Sequence, residues 1–232
     1  MPYFEDKKVL FIHIPKTGGT SLEKFFDSSY TQLLQHLPGS CIKSKEIMMR
    51  NNLVFKKYGH SPQHSTITEI KQTFPNIISQ AEKTFCIVRN PYSRLISEVF
   101  FDYKRCNKPF PYNNNISEYL SIINNRCRQM INNYKLNKTA YDCHFRPQFE
   151  YITDEKGADI PDNIRVFKFE DGFHQIEEYL NLKTGSLGHD NKTIYKYDIQ
   201  RLDFKDILES DVITMVNDIY RNDFAIFKYE MI

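Results

Sequence analysis

Val9-Leu10-Phe11-Ile12-His13-Ile14 is an apolar run that ends at Pro15-Lys16-Thr17-Gly18-Gly19-Thr20-Ser21, after which Leu22, Phe25 and Phe26 recur at helical spacing. A strand that passes through a tight glycine turn straight into a helix is the building unit of a parallel sheet covered by helices. The pattern returns at Thr84-Phe85-Cys86-Ile87-Val88, which turns through Arg89-Asn90-Pro91 into a stretch carrying Leu95, Ile96, Val99 and Phe100 on one helical face. Asn90 is a good N-cap and Pro91 fits the first helical position, so this helix is expected to begin at Pro91.

The rest of the chain continues the alternation. Thr66 to Thr73 reads as a short helix, Ile116 to Ile123 as another that Arg126 to Tyr134 extends or follows, Ile164 to Phe169 as a strand, and Phe173 to Leu180 and Val212 to Tyr220 as helices. Gln35 to Gln63 reads as an irregular surface excursion near the site. The expected fold is α/β: a central parallel sheet flanked by helices, related in form to nucleotide kinases, with ligands at the carboxyl ends of the strands.

At 232 residues, with no Gly/Ser/Pro-rich linker, repeat or long charge run, residues 1–232 are expected to form one domain. A net charge of +2 gives no field that would recruit nucleic acid or an anionic membrane, so any anion site must be local. The apolar run near the N-terminus is too short for a signal or a span, which points to a soluble chain. Cys41, Cys86, Cys106, Cys127 and Cys143 contain no C-x-x-C pair. Reduced thiols in a cytoplasm are the expectation; in an oxidising lumen, Cys106, Cys127 and Cys143 are the candidates for a disulfide.

The turn at 15–21 has more chemistry than a turn needs. Gly18 and Gly19 allow close approach, Thr17, Thr20 and Ser21 add hydroxyls, and Lys16 adds a positive charge beside a helix start, a combination suited to phosphate. It is not a Walker A loop, whose lysine follows its last glycine and whose hydroxyl holds magnesium. The strand before Arg89 also ends in a cation where a nucleoside triphosphatase needs a metal-holding carboxylate.

Phe11-Ile12-His13-Ile14-Pro15-Lys16-Thr17-Gly18-Gly19-Thr20-Ser21 resembles the 5′-phosphosulfate loop of sulfotransferases that use 3′-phosphoadenosine 5′-phosphosulfate (PAPS). Val88-Arg89-Asn90-Pro91-Tyr92-Ser93-Arg94-Leu95-Ile96-Ser97 resembles their 3′-phosphate motif. The likeness is greatest to the carbohydrate family that includes heparan and chondroitin sulfate enzymes. It runs more weakly through residues 64–70, 144–148, 166–170, 189–193 and 220–224. The resemblance implies that residues 16 to 21 hold the 5′-phosphosulfate, that Arg89 and Ser97 hold the 3′-phosphate, and that no metal is required. It also implies a hydroxyl acceptor, a glycan above all.

Sulfuryl transfer in line also needs a cation at the leaving oxygen, for which Lys16 is nearest, and a base for the acceptor hydroxyl. His64 is the candidate base, because residues 64–70 resemble the base-bearing segment of heparan 6-O-sulfotransferases; an ordinary histidine titrates near neutral pH. His60 is its rival, and as an i, i+4 pair the two also raise zinc, against which stands Pro62 between them. Arg94 is read equally as a ligand contact or a structural pairing, Arg146 as a partner for an acidic sugar or part of a structural loop, and Asn191 to Thr193 as a cover over the phosphates or an exposed turn. Two other readings stand beside this one: a kinase using ATP and magnesium, and a nucleotide-binding module that turns nothing over.

Overall fold

The computed structural model describes residues 3–4, 7–26, 53–106, 110–111, 115–154, 159–187, 197 and 199–232. Its sheet has the order β1 (Tyr3–Phe4), β2 (Val9–Ile12), β3 (Lys83–Val88), β4 (Ile164–Lys168). Strands β2, β3 and β4 are parallel, with Ile12 opposite Cys86 and Val88 opposite Lys168; β1 pairs antiparallel with β2.

Side chains alternate across a strand, and here both faces are covered, which is why β2 and β3 read as unbroken apolar runs. Leu10, Ile12, Cys86 and Val88 point to one face. They pack there with Ile67 and Ile70 of α3 (Ile67–Thr73), Ile77 of α4 (Pro75–Gln80) and Tyr151. Val9, Phe11, Phe85 and Ile87 point to the other, against Leu22 of α1 (Gly19–Phe25) and Ile176 of α7 (His174–Tyr179). Phe11, Phe85 and Ile87 have no exposed surface. Each contributes about 1.5–3 kcal/mol relative to leaving it in water. A separate apolar cluster joins α5 (Pro91–Arg105), α6 (Ile116–Leu136), α9 (Ser210–Ile219) and α10 (Arg221–Phe227).

Helix α5 begins at Pro91 as expected, and the Asn90 side chain accepts from the Tyr92 and Ser93 N–H groups. Residues 116–136 form one helix, not two. Thr66 and Glu69 close a capping box on α3, which fixes its start.

The excursion expected over 35–63 is corrected in its last part, its first residues lying outside the described ones. Residues 53–58 are helical (α2), and His60, Ser61, Pro62 and His64 are buried. Polar residues go inside here because Glu69 and Asp142 supply their hydrogen bonds. Cys41 and residues 189–193 also lie outside the described residues. Cys86, Cys106, Cys127 and Cys143 are free thiols. Among the described residues no helix is long and apolar enough to cross a membrane.

Candidate active site

Because β2, β3 and β4 are parallel, the segments that follow them open at one edge of the sheet. They are tied together there. Arg89 Nη1 donates to the Lys16 carbonyl at 3.1 Å, Arg94 Nε to the Pro15 carbonyl at 3.0 Å, and the Asn90 N–H to Glu170 Oε1 at 2.8 Å. The Arg89 guanidinium lies 4.4 Å from the Phe169 ring centre, and its Nε donates to Ser93 Oγ at 2.9 Å. Ser97 is buried one turn beyond Ser93, so helix periodicity sets both hydroxyls on the Arg89 side of α5.

The turn itself is held in a conformation that few residues tolerate. Lys16 and Gly18 have φ of 68° and 90°. A Cβ at Gly18 would meet the Phe173 ring at 3.0 Å, and one at Gly19 would fall 2.5 Å from His13 Nε2. Thr17 Oγ1 donates to the Ile14 carbonyl at 2.8 Å and is fully buried, so it shapes the loop, whereas Thr20 is exposed. Ser21 is buried and closes the turn through its N–H to the Gly18 carbonyl. Lys16 Nζ stands 3.7 Å above the Phe101 ring centre. Burial lowers its pKa to about 8, with Glu98 opposing that shift and Arg89 adding to it.

Beside this loop stand His13, His64 and His144, each with Nδ1 on a carboxylate: Glu23 at 2.7 Å, Asp142 at 2.9 Å and Glu98 at 2.7 Å. The His64 ring lies edge-on to the other two, 5.6 Å from His13 and 4.8 Å from His144. The Asp142 carbonyl, 2.8 Å from His64 Nδ1, is an acceptor only. Nδ1 therefore carries the proton and Nε2 keeps its lone pair.

Burial lowers the His64 pKa to about 3, against the pull of Asp142. This corrects the expectation of a histidine titrating near pH 7. Burial works against the charge of Asp142, but His64 and Ser61 together hold its carboxyl well below the usual carboxylate range. The pair at neutral pH is a carboxylate and a neutral imidazole.

Asp142 reaches this position through an unusual backbone. Tyr141, Asp142 and Cys143 have φ of 55°, 54° and 63°, a left-handed run that costs energy in non-glycine residues. Its bonds oppose that cost. Asp142 accepts from the Ser61 N–H and Oγ at 2.6 Å each, Tyr151 Oη donates to the Cys143 carbonyl, and Arg94 Nη2 donates to the His144 carbonyl at 2.7 Å.

Arg94 thus serves structure, joining the 15–16 turn to the 144–146 segment. His60 does too, with Nδ1 on the Ser61 carbonyl and Nε2 on Glu69. It makes no metal pair with His64. Arg146 pairs with Glu69 at 3.5 Å and lines, with Lys135, Lys138 and Glu150, a cavity of about 500 Å³ whose lining includes none of Lys16, Arg89 or His64. The sequence reading missed Asp142, Glu98 and the pairing of His13 with Glu23. Glu98 adjoins Ser97 and His13 adjoins the loop, but nothing in the sequence links Asp142 to His64, 78 residues earlier.

Comparison with known proteins adds one finding. No curated protein and no solved structure matches the chain. A family model described as the Sulfotransferase family, however, matches residues 2–230, nearly the whole length, including the turns at 15–21 and 89–97 and the histidine segments. The chain belongs to the sulfotransferase family.

Proposed function

We propose that the chain transfers the sulfuryl group of PAPS to a glycan hydroxyl, with Lys16 and His64 as catalytic residues. Residues 16–21 take the 5′-phosphosulfate, Arg89 and Ser97 take the 3′-phosphate, and no metal takes part. The observation that carries this reading is the bond from Arg89 to the Lys16 carbonyl. It joins two phosphate-suited motifs at one sheet edge, beside a histidine whose tautomer leaves Nε2 open. Phosphates favour such helix-start loops and arginine forks.

In this mechanism the acceptor oxygen attacks sulfur in line while the bond from sulfur to the bridging phosphate oxygen breaks. Lys16 neutralises the charge gathering on that oxygen. The hydroxyl proton passes to His64 Nε2 as the new O–S bond makes it acidic, and ionised Asp142 stabilises the resulting imidazolium. Free thiols at Cys86, Cys106, Cys127 and Cys143 support a reducing compartment such as the cytoplasm.

The test starts from the product, 3′-phosphoadenosine 5′-phosphate. At about 100 times its dissociation constant it should stabilise the fold by about 2.7 kcal/mol without magnesium. A thermal shift with ATP and magnesium but none with the bisphosphate would establish the kinase reading instead. Labelled-sulfate transfer to desulfated glycosaminoglycans, simple glycans and phenols then identifies the acceptor.

A further inference from the structure

We infer that Glu98 and His144 form a second carboxylate–imidazole pair of the same site, in which Glu98 positions His144 and the His144 ring receives the acceptor hydroxyl together with His64. This rests on the transferase reading above.

Glu98 is the first observation. It is a carboxylate buried to within 1% of its surface, one residue after Ser97 on α5. Its Oε2 holds His144 Nδ1 at 2.7 Å, and its Oε1 has no hydrogen-bond partner among the described residues. An acid buried with half its bonding capacity unused is costly, and a pair serving only packing would be as well served by apolar side chains.

Its surroundings are the second. Phe101 stacks on the His144 ring at 5.6 Å and carries Lys16 Nζ on its face at 3.7 Å, and the charge of Glu98 opposes the loss of the Lys16 proton. Glu98 therefore acts on both Lys16 and His144.

The third is distance. The His64 and His144 rings meet edge to face with centres 4.8 Å apart, so an acceptor hydroxyl brought to His64 also comes beside His144. With its Nδ1 donating to Glu98 Oε2, His144 leaves its Nε2 as an acceptor. During transfer the acceptor's one O–H bond breaks as one N–H bond forms at the Nε2 it faces, while an oxygen lone pair directed at sulfur makes the new O–S bond and the bond from sulfur to the bridging phosphate oxygen breaks. His64 alone is a weak base, and a second imidazole offers the same proton another acceptor.

The experiment combines Glu98→Gln, His144→Ala and their double variant with ¹⁵N spectra of the histidine rings. Glu98→Gln should lower kcat about 10- to 100-fold while binding of the bisphosphate changes less than about twofold. The double variant should be no slower than His144→Ala, because Glu98 acts through His144. In the unaltered protein His144 should be protonated at Nδ1, and Glu98→Gln should disturb that pattern. Full turnover in Glu98→Gln, multiplicative losses in the double variant, or His144 protonated at Nε2 each overturn the inference. If Glu98→Gln does not fold, the ring spectra of the unaltered protein and the rate of His144→Ala decide alone. Failure of the unaltered protein to transfer sulfate to any acceptor instead defeats the transferase reading, and this inference with it.

Discussion

The two glycine- and arginine-bearing turns and the histidine cluster adjoin each other but are assembled by opposite means. Residues 9–25 and 83–105 are each one contiguous strand, turn and helix, so their geometry follows from neighbours in the chain and from two adjacent parallel strands. The histidines are brought together over long separations, His64 to Asp142 and His144 to Glu98, by buried hydrogen bonds and a left-handed run at 141–143. The first region works through cations set in the turns that follow two parallel strands, as at Lys16 and Arg89. The second works through charge committed to a partner, which fixes tautomers and withholds protons. Binding a donor needs the former, and directing a single proton needs the latter.

The comparison breaks most decisively at His64. His64→Ala should lower turnover about 10²–10⁴-fold and leave binding of the bisphosphate nearly unchanged, since the ring lies on the proton-handling side. His60→Ala is the control and should be milder on turnover, because both His60 nitrogens are bonded to Ser61 and Glu69. Loss of activity in His60→Ala with activity kept in His64→Ala would move the base.

Arg89→Ala should do the reverse. It should weaken donor binding by about 1.5–3 kcal/mol and spare the bisphosphate's analogue lacking the 3′-phosphate. Equal weakening of both ligands would mean that Arg89 acts by holding the Lys16 carbonyl.

The pH profile sharpens the comparison with the smallest expected effect. Lys16 is a cation whose buried pKa is about 8, so kcat/KM for the donor should fall as pH rises through about 8, tenfold per unit well above it. A base stays active while neutral, and burial lowers His64 to about 3, so its protonation should produce no acid limb between pH 5 and 7. A limb near the ordinary histidine value of about 6.5 would assign the base to an imidazole less buried than His64.

Much of the fold was legible because β2 and β3 announce themselves as apolar runs and because Asn90 with Pro91, and Thr66 with Glu69, mark helix starts by local chemistry. The two-residue β1 and the break between α9 and α10 at Tyr220 were not, since neither has a periodic signal of its own. At the site, Lys16, Gly18 and Arg89 could be read from their motifs. Thr17 reads there as a phosphate-binding hydroxyl and Arg94 equally as a ligand contact or a structural pairing, because a hydroxyl or guanidinium reads alike whether it faces a ligand or a backbone carbonyl.

The sequence by itself determined the alternation of strands and helices, the two phosphate-suited turns and the supply of histidines, because each depends on residues within a few positions of one another. Only the tertiary structure decided which partner each histidine meets. That depends on where Asp142, Glu98, Glu23 and Glu69 arrive after the chain has closed. A proton's position is set by the acceptor facing it in a buried site, and separation along the chain carries no information about that partner.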